Sequence, residues 1–182
     1  MEQIDKIIEL RKQTSNIQND LWLNESLFSF PWWVSIILAI ASVILFWKLV
    51  DKNRFSEITL VGFVSAVVTT LFNDIGVDLT LWTYPTQIFG LIRSFIILDL
   101  VMIPTAFMLL YQYFKNWKKY IIAITVFSAF GSFIAQPLFS LIGKYKLINW
   151  SYLYSFPVYI VMGILIKAVV SKIFSIEVNN GK

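Results

Sequence analysis

The run "PWWVSIILAIASVILFWKLV", residues 31–50, carries one charged side chain in twenty positions. As a helix it is long enough to cross the roughly 30 Å hydrocarbon core of a bilayer. Four more apolar stretches follow, at residues 57–73, 91–114, 120–142 and 152–174. None alternates with period two, which argues for helices and against a membrane barrel. In lipid a backbone polar group has no water to turn to, so each stretch must satisfy its own N–H and C=O groups. Composition agrees: 58% of the chain is hydrophobic and only 14% is charged, against roughly 25% charged in soluble domains. The expectation is an all-α fold, a polytopic bundle of five transmembrane helices over residues 31–174, with a short tail at 175–182.

Residues 1–30 read differently. Charges run through them, with none of the apolar centre of a signal peptide. Ile7, Leu10, Thr14, Ile17, Leu21, Asn24 and Phe28 recur at alternating three- and four-residue spacing. That rhythm predicts an amphipathic N-terminal helix, lying on the membrane surface or pairing with another helix.

Basic residues set the expected orientation. Lys48, Lys52 and Arg54 stand at and just after the end of the first span, Lys115, Lys118 and Lys119 follow the third, and Lys172 and Lys182 stand at the C-terminal end. Lys167 is expected to snorkel towards that same side. The stretch "FNDIGVDLTLWTYP" after the second span has no base. Lys144 and Lys146, after the fourth, argue the other way. The balance places the N-terminus outside and the C-terminus in the cytoplasm, in a multi-pass protein of the cell membrane. Trp32, Trp33, Trp82, Tyr84, Trp150 and Tyr152 then fall at the outer headgroup level, where amphipathic rings settle.

The chain has no Cys and no His. It therefore lacks the commonest general base and metal ligand, and thiolate sites are excluded. No Walker, EF-hand, nucleophile-elbow or HExxH pattern appears. Neither a cofactor nor a metal is called for, and the few bases read as topogenic rather than as a nucleic-acid surface. The implied partners are the lipid bilayer and either another membrane protein or a second copy of the chain.

Asp99, in "RSFIILDLVMIPTAF", is the residue hardest to place in lipid. A carboxylate at that depth costs roughly 2.5–3.5 kcal/mol on insertion scales, so it should face the bundle interior. Pro104 should kink its helix and free the carbonyl of Leu100. Thr125, Ser128, Ser132, Gln136 and Ser140 line one face of the fourth span, and Thr59, Gly62, Ala66, Thr70 and Asn73 one face of the second. Close helix packing accounts for the small residues, and less well for Gln136 and Asp99. Asn73, Asp74, Arg93, Asp99 and Gln136, with Trp82 and Tyr84 at the mouth, are the expected ligand-binding residues of an outward-facing polar pocket; Asp78 is a lesser candidate. The competing role for Asp99 is a hydrogen bond that holds two helices together.

Taken in order, "LVDKNRFSEI", "NDIGVDLTLWTYP", "LDLVMIPTAFMLLYQYFKNWKKY", "AQPL" and "WSYLYSFPVYI" resemble an uncharacterised family of small multi-pass membrane proteins from Gram-positive, often spore-forming, bacteria. The resemblance covers residues 45–172 and implies a five-helix membrane protein of unassigned activity. Where that family often has a Glu before the proline, this chain has Gln136. Asp74, Trp82, Tyr84, Asp99 and Pro104 also resemble, more loosely, the order of residues in lycopene-cyclase-type membrane domains, without the acid pair of those enzymes. The functional expectation is binding or passage of a small polar molecule, cation or lipid headgroup in the outer half of the bundle. A structural or sensory subunit is the alternative, and an intramembrane lipid or isoprenoid enzyme is the third.

Overall fold

The computed structural model describes residues 1–90 and 97–180, with side chains through residue 176. It is all-α apart from one two-stranded pairing. The helices are α1 (Glu2–Leu21), α2 (Phe30–Leu49), α3 (Phe55–Asp78), α4 (Ile103–Tyr113), α5 (Trp117–Phe130), α6 (Gln136–Leu141) and α7 (Tyr152–Asn180). Among the described residues four segments are long and apolar enough to cross a membrane: Phe30–Leu49, Lys52–Asp78, Trp117–Leu141 and Tyr152–Ile176. The third expected span shows a shorter apolar helix, Leu98–Tyr113; its start at residues 91–96 lies outside the described residues.

The N-terminal helix ends earlier than its spacing predicts. α1 runs into a π-helical turn, Trp22–Ser26, after which Leu27 is extended and Phe28 has φ 58°. Phe28 thus lies beyond the helix. No residue of α1 is buried; Ile7, Leu10, Ile17 and Leu21 are exposed, while Ser15 and Gln18 are half-covered. Just past the helix, Trp22 ties it to the loop after α3, its Nε1 donating to the carbonyl of Ile88 at 2.9 Å.

α3 is the central element, packing on α4 and α7. Its buried face is Ile58, Val61, Gly62, Ser65, Thr69, Asn73 and Gly76, a three- and four-residue stripe of one helix side. This differs from the expected stripe: Gly62 and Asn73 belong to it, Ala66 and Thr70 flank it, and Thr59 is exposed. The stripe passes from aliphatic through hydroxyl to amide, which separates two cores. Val61, Phe107, Tyr111, Tyr120, Ile124, Ile166 and Val170 form one. Trp82, Tyr84, Ile88 and Tyr145 form the other, at the opposite end. Ser128 on α5 and Ser132 in the turn that follows it are fully buried.

Two π-helical turns, Leu98–Met102 and Gly131–Ala135, lead directly into α4 and α6. Each is followed by a proline in the first turn of the next helix, Pro104 and Pro137. Proline has no N–H to offer the carbonyl four residues back. The ladder widens instead: Ile103 N donates to Leu98 O and Gln136 N to Gly131 O. The kink expected at Pro104 is therefore a widened turn that holds Asp99.

The loops after α3 and α6 meet at one end, where β1 (Trp82–Thr83) pairs antiparallel with β2 (Lys146–Leu147). Matching helix ends deliver them. Leu81 N donates to Gly76 O and Thr80 N to Val77 O, with Thr80 at φ 56°. Lys144 N donates to Phe139 O and Gly143 N to Ser140 O, with Gly143 at φ 74°. Both are Schellman endings; glycine is the usual left-handed residue there, and a β-branched Thr80 in that region is strained.

Lys144 latches this end onto α2. Its ammonium donates to the Pro31 carbonyl at 3.0 Å and touches Ser35 Oγ, and both side chains are fully buried. At the other end Lys167 does not snorkel to water. It is buried, donates to the carbonyls of Phe114 (2.6 Å) and Lys115 (3.0 Å), and lies 4.2 Å from the centre of the Tyr120 ring.

Burial pushes the Lys144 ammonium down to about 8 from its ordinary 10.5. Its folded-state pKa lies below its unfolded one, so the unfolded chain binds the extra proton between those values and stability rises with pH across that window. The penalty is full below about pH 8, with an upper bound of roughly 3 kcal/mol. In detergent, wild-type melting temperature minus that of Lys144→Met should increase from pH 8 to pH 10; a pH-independent difference would refute the assignment.

Candidate functional site

Asn73 occupies the last buried polar position of α3, one turn after Thr69. The Schellman ending at Thr80 turns the chain back, so that Trp82 and Tyr84 lie over it. Trp82 Nε1 and Tyr84 OH both donate to Asn73 Oδ1, each at 2.8 Å. With its oxygen so occupied, the amide presents Nδ2 to Asp99 Oδ2 at 2.5 Å. Thr69 Oγ1 donates to the backbone carbonyl of Asp99 at 2.9 Å, another tie from α3 to the π-helical turn. Asp99 is 3% exposed and Asn73 4%. Among the described residues, Asn73 is the carboxyl group's hydrogen-bond partner.

The close approach of Trp82 depends on Gly76. A Cβ there would lie 2.0 Å from the Trp82 six-membered ring. Gly76 is helical, so space and not backbone conformation requires the glycine. Trp150 packs edge-on to Trp82 at 5.3 Å and donates through Nε1 to Ser155 Oγ at 3.0 Å; Tyr145 packs on Tyr84 at 5.6 Å.

Gln136 comes from the other proline-linked turn. Its Nε2 donates to Tyr159 OH on α7 at 2.7 Å, while its Oε1 is buried and has no donor among the described residues. Asn73, Trp82, Tyr84, Asp99 and Gln136, with Tyr159 and Ser155, line one cavity of about 30 Å³. That is room for water-sized occupants only, far below the roughly 300–1,000 Å³ of ordinary small-molecule pockets.

Five of the seven expected ligand-binding residues are thus brought together. Asp74 is not: it is exposed, because the position after Asn73 is turned about 100° round the helix. Asp78 is also exposed, at the end of α3 rather than in a loop. Arg93 lies outside the described residues. Trp82 and Tyr84 cover the cavity as buried donors, whereas Trp33 stays exposed. Sequence reasoning missed Thr69, Trp150, Ser155 and Tyr159. The one signal for Tyr159 is its place after Pro157 inside an otherwise continuous helix.

Chemically the cavity is rich in acceptors: the Asp99 carboxyl and the open Gln136 oxygen. No group of three or more Asp, Glu, His or Cys placed to hold a metal ion is found among the described residues.

Gly76→Ala should destabilise the protein by about 1–3 kcal/mol through overpacking, partly offset by the higher helix propensity of alanine. In a Trp82→Leu background the same change should be near neutral. A double-mutant cycle of melting or denaturation in detergent reads the coupling; simple additivity would rule out the contact. Comparison with protein-family models, curated proteins and solved structures finds no match to this chain.

Proposed function

We propose that the chain is a five-span protein of the cell membrane, N-terminus outside and C-terminus cytoplasmic. In this reading it holds a small monovalent cation or a water-sized polar molecule in the cavity beneath Trp82 and Tyr84. The carrying observation is the pairing, in one small cavity, of a buried carboxyl with a buried amide oxygen that no group among the described residues satisfies. A buried polar group left without a partner costs free energy, and a donor or cation between Asp99 and Gln136 would remove that cost. One carboxylate balances one positive charge. A whole lipid headgroup is too large for the cavity as it stands.

A second reading has its own support. The 2.5 Å bond from Asn73 to Asp99 joins two helices directly, as a purely structural or sensory subunit would need. The exposed α1 would then be the surface that meets a membrane or a partner.

The readings separate in salt. Wild-type protein, Asp99→Asn and Asp99→Leu are melted in detergent in lithium, sodium, potassium or ammonium chloride, against N-methylglucamine chloride of equal ionic strength. The ligand reading expects one small cation to stabilise the wild type selectively, by about 2.7 kcal/mol at a hundredfold excess over Kd, and Asp99→Asn to lose that response. Identical salt responses in wild type and Asp99→Asn, with only Asp99→Leu unstable, would reject it for the structural reading.

A further inference from the structure

At the end away from the β1–β2 pairing, α4 and α5 border an open apolar groove of about 640 Å³. Leu110 on α4 and Phe114, which caps that helix, form one wall; Ile122, Val126 and Phe130 on α5 form the other. Among the described residues the one charged group on the lining is Lys119, at the start of α5. From Lys119 to Phe130 is about 16 Å of helix, close to half of a roughly 30 Å hydrocarbon core and so to the depth of one leaflet.

Lysines cluster beside the mouth. Lys115, Lys118 and Lys119 are exposed within "KNWKK", which contains no acid. The carbonyls ending α4 would repel an anion, but those of Phe114 and Lys115 already accept from the Lys167 ammonium. Glu57, the acid of the neighbouring helix, is engaged by Arg54 at 2.8 Å and Tyr111 at 2.5 Å. What remains is a leaflet-deep apolar slot with lysines at its headgroup end, the arrangement that basic pockets between membrane helices use for anionic lipids.

We infer that this groove is a binding site for a phospholipid of net negative headgroup charge. One acyl chain lies between α4 and α5, and the phosphate rests on Lys119 with Lys115 and Lys118 beside it. The inference is independent of Asp99 and rests only on the chain lying in a bilayer.

Native mass spectrometry of the full-length protein in detergent tests it, with dioleoyl phosphatidylglycerol and dioleoyl phosphatidylcholine as probes in equal amounts. The first bound lipid should favour phosphatidylglycerol at least fivefold. Lys115→Gln/Lys118→Gln/Lys119→Gln should bring the two lipids to near parity, and Ala123→Phe, which fills the groove, should lower retention of that first lipid about fivefold. If Ala123→Phe loses its melting transition, Val126→Trp on the exposed wall carries the same expectation. An unchanged preference in the lysine variant, or unchanged retention in a folded groove-filled variant, would overturn the site. Excess glycerol 3-phosphate should leave the adduct in place; displacement by it would mean a free-anion site and overturn the lipid assignment.

Discussion

One side-chain amide holds the polar end of this bundle together. Asn73 accepts from Trp82 and Tyr84 and donates to Asp99. The two donors leave no choice of orientation, because turning the amide over would set its NH₂ group against both of them. The same amide thus joins α3 to the turn before α4 and fastens the following loop across the top. If it were removed, an indole N–H, a phenol and a carboxyl would lose a partner in a site nearly closed to water. Lost hydrogen bonds of buried groups are costly where no replacement can reach them. The cavity, its cover and the position of Asp99 all follow from that contact.

The helices supply the matching half. A membrane helix cannot leave carbonyls unpaired against lipid, yet Pro104 and Pro137 each remove a donor. Both segments answer with a π-helical turn just upstream, and Asp99 and Gln136 sit within or immediately after those turns. Such turns often mark functional positions. Here they re-aim two side chains from neighbouring segments towards one space without breaking either segment. The other end uses its polar groups differently. Lys167 there closes the carbonyls that end α4 and is ringed by Tyr120, Trp117 and Tyr111. One end turns its polar groups towards a shared cavity, and the other closes them around an ammonium.

Much of this was legible in the residues alone. Long apolar runs identify helices, since a span of given thickness demands a given length. Asp99 and Gln136 stood out because a carboxyl and a carboxamide are expensive in lipid, and Asn73 lay at a helical repeat with Gly62. What escaped was rotation and closure. The stripe on α3 is turned so that Ser65 and Thr69 face inward instead of Thr59 and Thr70, a choice set by tertiary packing that spacing alone leaves open. Trp82 and Tyr84 have the composition of interfacial rings. Only the left-handed turn at Thr80, which no glycine announces, folds them back onto Asn73. Lys144 looked like a misplaced topogenic charge because its buried acceptors, Pro31 and Ser35, are more than a hundred residues away.

The chain order of the polar contacts has a consequence for biosynthesis. Asn73, Trp82 and Tyr84 all precede Asp99, whereas Gln136 and Tyr159 follow it. Because translation runs from the N-terminus, the group that shields the carboxyl has been made before the acidic segment is. The remaining wall is laid down only after two further stretches have been made. In the membrane setting proposed above, an acid that would strand a lone hydrophobic hairpin meets its escort at once, and the pocket closes around it last.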